Sequence, residues 1–134
     1  MKILIVEDDP VAAAVLQKIA TNEGHQATIA VDGETAWTLL DDPHRTFDVA
    51  FLDLALPKIS GFELWQRIRG NSLLKSLGVI FCTAATDRAT VVKIIQLGGR
   101  HYIVKPATPE IVAARLKLLR PAVPSGMEHT LAGS

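Results

Sequence analysis

Four short stretches of the chain are apolar at nearly every position, without the alternation of a half-buried strand: residues 2–6 (KILIV), 48–52 (DVAFL), 79–82 (VIFC) and 101–104 (HYIV). In the second of these both alternating sets, Val49/Phe51 and Ala50/Leu52, are apolar. A strand with two apolar faces is covered on both sides, as in a parallel sheet sandwiched by helices. Residues 26–31 (QATIAV) form a further strand with more polar positions, which places it nearer an edge.

Helical patterns fill the intervals. Asp9-Pro10 reads as an N-cap followed by proline in the first turn, and Val11, Val15 and Ile19 recur at spacing four up to Gly24. Asp32-Gly33-Glu34 opens a second helix with Ala36, Trp37 and Leu40 inward, ended by Asp41-Asp42-Pro43. Ser60 and Glu63 have capping-box spacing ahead of a stripe of Leu64, Trp65 and Ile68 that stops near Gly70, and residues 71–78 are loop. Thr86 or Asp87 caps a fourth helix through Val91, Val92, Ile94 and Ile95, closed by Gly98-Gly99. Thr108-Pro109 starts the last, through Val112, Leu116 and Leu119 to Pro121. Five strands alternating with five helices predict an α/β fold, a doubly wound five-stranded parallel sheet joined by right-handed crossovers.

Composition narrows this further. A chain of 134 residues suits one domain, here residues 1–120, and residues 121–134, rich in Pro, Ser and Gly without periodicity, read as a flexible C-terminal tail or linker stub. Lys and Arg balance Asp and Glu at 14 each, so no net field favours nucleic acid or membrane. Cys82 is the single cysteine, so no internal disulfide can form, and its apolar neighbours predict a buried thiol suited to a reducing cytoplasm. The N-terminal apolar run is too short for a signal peptide and ends in acids, and no run is long enough to span a bilayer; the expected location is cytoplasmic.

In a parallel sheet every strand's carboxyl end lies on one edge, where ligands bind. The first strand delivers Glu7 and Asp8 there, the third Asp53, the fourth Thr83 and the fifth Lys105. Singly each has an ordinary role: a helix-cap acid, a strand-end hydroxyl on backbone, a surface ammonium. Together they make an all-oxygen site that suits Mg²⁺. Phosphoryl transfer to Asp53 requires in-line positioning and charge stabilisation, and Lys105 and Thr83 could hold phosphoryl oxygens.

The motifs ILIVEDD, FLDLALPKISG, Thr83-Ala84 and YIVKP resemble the receiver domain of bacterial two-component response regulators, over about residues 1–120. The strand order 2-1-3-4-5 and a flavodoxin-like sheet come with that resemblance. It implies that Asp53 is the phosphoacceptor, that Asp8 and Asp53 ligate Mg²⁺, and that Glu7 acts through water while the Ala55 carbonyl completes the set. It further implies that Thr83, Ala84 and Lys105 bind the phosphoryl group and that Thr83 and Tyr102 form a switch. The implied donor is a sensor histidine kinase or a histidine phosphotransfer protein. The implied output is a protein target reached through about residues 87–120, from Asp87 to Arg120, with a homodimer also admitted and no direct contact with nucleic acid or membrane. Such a chain is a signalling phosphoacceptor rather than an enzyme, although it assists its own phosphorylation and dephosphorylation. The family pattern also implies a cis Lys105–Pro106 peptide.

Several positions depart from that pattern: Gly99-Arg100-His101 before Tyr102, Ala107 after Lys-Pro, and Leu56. Ala55 and Ala85 stand where family side chains flank the path of the hydrolytic water, which predicts a long-lived phosphorylated state. Two other readings compete. A phosphatase with an aspartyl nucleophile wants an acid where Ala55 stands, and a flavodoxin-like cofactor binder wants a Ser/Thr/Gly phosphate loop where Glu7-Asp8-Asp9 stands.

Overall fold

The computed structural model describes residues 1–56, 58–84 and 88–119. The chain runs β1 (Lys2–Val6), α1 (Pro10–Asn22), β2 (Gln26–Ala30), α2 (Gly33–Leu40), β3 (Val49–Asp53), α3 (Gly61–Arg69), β4 (Gly78–Thr83), α4 (Arg88–Gln96), β5 (His101–Val104) and α5 (Pro109–Leu119). All strand pairings are parallel, in the order β2-β1-β3-β4-β5. The more polar β2 is indeed an edge strand, and β5 is the other edge.

The doubly apolar strands serve two separate cores. Ile3, Ile5, Val49, Phe51, Ile80, Cys82 and Ile103 meet α1 and α5 on one face. Leu4, Val6, Ala50, Leu52, Val79 and Phe81 meet α2, α3 and α4 on the other. Each large side chain so buried contributes roughly 1.5–3 kcal/mol, so both faces stabilise the sheet and neither tolerates polarity.

Helix starts follow the expected caps. Val11 N–H donates to Asp9, Thr35 N–H to Asp32, Glu63 N–H to Ser60 and Ile111 N–H to Thr108. The expected cap at Thr86 or Asp87 lies outside the described residues, as does the tail.

Three details lie beyond what the periodicity expressed. In α1 the buried stripe is Ala13, Leu16, Ile19 and Ala20, whereas Val11 and Val15 are 71% and 45% exposed. This helix is apolar on two adjoining stripes, and the alanines let it sit close to the sheet, which turns the valines outward. In α4 only Ile94 is buried. The loop before β4 contains a 3-10 turn, Ser72–Leu74, whose first N–H groups are capped by Asn71. The Lys105–Pro106 peptide is cis, as the family pattern implied.

The segment after β3 is fixed with particular care. A side chain at Gly61 would place its Cβ 2.3 Å from the Asp53 carbonyl oxygen and 2.7 Å from Leu54 Cα, so only glycine lets α3 begin that close to the end of β3. Lys58 takes a positive φ of 65° and reaches Asp32 at 3.7 Å and Glu34 at 3.6 Å, while Ile59 packs onto Gly33 at the start of α2.

Candidate functional site

The register of the sheet brings the distant polar residues together. Val6 pairs with Leu52, so the next residues, Glu7 and Asp53, emerge side by side. Thr83 pairs with Val104, and the following Lys105 N–H donates to the Thr83 carbonyl at 2.8 Å.

Glu7, Asp8 and Asp53 each offer a carboxylate oxygen, and these oxygens all lie within 4.8 Å of one another. Glu7 and Asp53 are buried and Asp8 is exposed. The Lys105 ammonium donates to Glu7 Oε1 at 2.5 Å and to Asp53 Oδ2 at 3.1 Å. The remaining oxygens of the buried pair meet backbone: Asp53 Oδ1 accepts from Ala55 N–H at 3.0 Å and Glu7 Oε2 from Asp9 N–H at 3.3 Å.

One ammonium thus faces three carboxylates. Burial, reinforced by the hydrogen bond and charge of Asp53, pushes Glu7 up to about 7 against the opposing pull of Lys105 and the Asp9 N–H. Burial works against the charge of Lys105, but its bonds to Glu7 and Asp53 outweigh that and hold its pKa above the ordinary value. Surplus negative charge on hard oxygen donors is the chemistry that accepts a divalent cation, and with an exposed acid at its mouth the cluster fits Mg²⁺.

A cavity of about 490 Å³ opens over this cluster, lined also by Ala55, Phe62, Thr83, Ala84 and Thr90. Asp53, Thr83, Ala84, Ala55 and Lys105 therefore converge as expected. Tyr102 does not join them: it pairs with Phe81 across the sheet and lies half-buried against the α4 side of the core. Phe62 and Thr90 were not singled out from sequence. Each sits in the first turn of its helix, α3 or α4, and rotation from the preceding loop would have to be known to aim it at the crevice. A second, apolar cavity of about 410 Å³ adjoins the first along α1, bounded by Val11, Val15, Pro106 and Ala107 and sharing Glu7 and Lys105.

Among known protein families, the response regulator receiver domain matches residues 3–117. The Streptomyces coelicolor transcriptional regulatory protein AfsQ1 is 34% identical over 115 residues, 86% of this chain and 49% of that protein. The Helicobacter pylori chemotaxis protein CheY1 is 28% identical over 120 residues, 89% of this chain and 96% of that one. The share of its curated relatives that this chain spans thus varies widely, from 15% to 96%. In structure it superposes on the signal receiver domain of a histidine kinase from Syntrophus aciditrophicus with a TM-score of 0.81 at 28% identity, covering 92% of this chain and 95% of that one.

Proposed function

The chain belongs to the response regulator receiver domain family, and from that premise we propose that Asp53 takes a phosphoryl group from a phosphohistidine on a sensor kinase or phosphotransfer protein. The observation that carries this is the buried Asp53 held between the Lys105 ammonium and the Ala55 N–H, on the wall of the crevice. A carboxylate oxygen of Asp53 attacks phosphorus, the P–N bond breaks as the P–O bond forms, and the imidazole leaves. Glu7, Asp8, Asp53 and the Ala55 carbonyl are the groups that would hold Mg²⁺, which when bound shields the acceptor from the incoming negative charge. Lys105 neutralises the phosphoryl oxygens, and Thr83 and Ala84 line the space they enter.

Phosphorylation replaces the single charge of the Asp53 carboxylate with a phosphoryl group of roughly −1.5 to −2, which draws the Thr83 hydroxyl inward. Thr83 is on β4, next to the strand that carries Tyr102, so its displacement alters the packing of the ring and the surface formed by residues 88–119. In the Thr83→Ala variant, phosphorylation should persist while the NMR shifts near Tyr102 cease to respond; an unchanged response refutes the coupling. Ala55 can neither orient a water nor take its proton, so the phosphorylated state should be long-lived and Ala55→Asn should speed its decay. Ala85, the other position in that argument, lies outside the described residues.

The central test is intact mass after incubation with acetyl phosphate and Mg²⁺. One phosphoryl group should appear on the wild type and none on Asp53→Asn or Asp8→Ala. Labelling of Asp53→Asn removes the acceptor assignment, and undiminished labelling of Asp8→Ala removes the metal assignment.

A further inference from the structure

The second cavity, along α1, takes no part in the phosphoryl chemistry described above. Its volume is about 410 Å³, within the range of small-molecule sites, roughly 300–1,000 Å³. Leu16 and Cys82, both buried, lie at its base, and Val11 and Val15, both exposed, form its rim. The space exists because small residues line it from two elements. Ala12 on α1 and Ala107 in the turn after β5 present methyl groups where longer side chains would close the gap. Water gains few hydrogen bonds from such walls, so an apolar body displaces it favourably.

Charge at one end of the cavity selects the occupant. Glu7, Asp9 and Lys105 line this space as well as the crevice. The Lys105 ammonium is already engaged, donating to Glu7 Oε1 and to Asp53 Oδ2. The other Glu7 oxygen accepts from the Asp9 N–H at 3.3 Å, and Asp9 Oδ1 accepts from the Val11 N–H at 3.1 Å. A carboxylate oxygen has two lone pairs, so both acids keep acceptor capacity. Two acids against one ammonium, with Asp8 and Asp53 close to Glu7, leave this end negative. An anion would meet repulsion there, whereas a cation would find acceptors.

The form of that cation follows from the walls. A bare metal ion would leave the aliphatic side chains without a partner. Among the described residues no aromatic side chain lines the cavity, so a quaternary ammonium would have no ring face to rest on. A primary ammonium carries three N–H donors and suits carboxylates directly.

We propose that this cavity binds a small aliphatic amine in its protonated form, with the alkyl chain against Ala12, Val15, Leu16 and Ala107 and the ammonium against Glu7 and Asp9. The site adjoins the crevice but differs from it in kind. The crevice gathers hard oxygens from three carboxylates, whereas the cavity joins an aliphatic chamber to a carboxylate end.

The test titrates the full chain with hexylammonium chloride at pH 8, at which a primary alkylamine is still protonated, and follows amide NMR shifts. Hexanol, hexyltrimethylammonium and hexanoate are the comparison probes. Hexylammonium should shift the amides of Ala12, Val15 and Ala107. The other three should each bind less tightly, hexanoate by about tenfold or more. Ala107→Leu and Ala12→Leu fill the space from its two sides, and either one, if its own spectrum shows it folded, should weaken hexylammonium about tenfold or more. Asp9→Asn keeps the cap of α1, because asparagine caps as well as aspartate, and removes one charge. It should weaken hexylammonium about threefold and leave hexanol unaffected. Absence of shifts, shifts that map to Ala84 and Thr90 in the crevice, or equal binding of any comparison probe overturns the proposal. So does indifference of hexylammonium to a filled cavity or to Asp9→Asn. None of these readouts uses phosphoryl transfer, so a chain never labelled at Asp53 leaves this result as it is read, and failure here leaves the receiver chemistry untouched.

Discussion

At the scale of single residues, position along a strand decides what a side chain can do. Cys82 is the last residue but one of β4, buried at 2% exposure, and loss of water pushes its thiol up to about 12. It should resist a thiol reagent at pH 8 in the native protein and react fully once urea unfolds the chain; fast native modification would contradict its burial. His101 stands at the opposite end of its strand, and burial together with the charges of Arg115 and Arg100 lowers its pKa below the ordinary value. A histidine whose pKa is lowered by folding favours the folded state above about pH 6.5 and withdraws that support as pH falls through 6.5 towards the folded value. His101→Gln should therefore lose less thermal stability than wild type between pH 7 and 5.5, and parallel losses would show that His101 plays no part. The crevice residues were legible in the sequence for the same positional reason. Glu7, Asp53, Thr83 and Lys105 each end an apolar run, and a parallel sheet sends all such ends to one edge. Phe62 and Thr90 were not legible, because a helix start fixes that a residue is helical without fixing its azimuth.

At the scale of elements, strands were easier to read than the faces of helices. Both apolar sets of β1, β3 and β4 found a core, whereas the spacing of Val11 and Val15 marked the helix α1 without marking its buried face, because alanines were available to pack more closely beneath. Trp65 belongs to the expected stripe of α3, but sequence could not show its polar end at work. Its indole N–H and Arg69 both donate to the Leu97 carbonyl, at 2.7 and 2.6 Å, and so join α3 to the end of α4. The start of α3 is the less forgiving end. Gly61→Ala would drive a methyl group into the backbone of Asp53 and Leu54, which cannot yield as a side chain would. It should cost roughly 1–3 kcal/mol in urea unfolding and reduce labelling of Asp53. Gly70→Ala, whose Cβ would come no closer than 3.4 Å to other atoms at the end of the same helix, should be nearly neutral. Equal midpoints for the two variants would show that the close approach at Gly61 is not needed.

At the scale of the whole molecule, the sheet order β2-β1-β3-β4-β5 makes the crevice from strands that are far apart in the chain. Lys105 and Glu7, in direct contact, are separated by 98 positions. That separation gives the protein a schedule as well as a shape. At roughly 5–20 residues per second, a ribosome takes some 5–20 s to pass from one to the other. Through that interval a nascent chain carries its acids without their ammonium, and it lacks the cation that the proposed chemistry at Asp53 requires. On the reading proposed above, competence to receive a signal begins only once Lys105 has been made, so a domain still short of that residue stays silent.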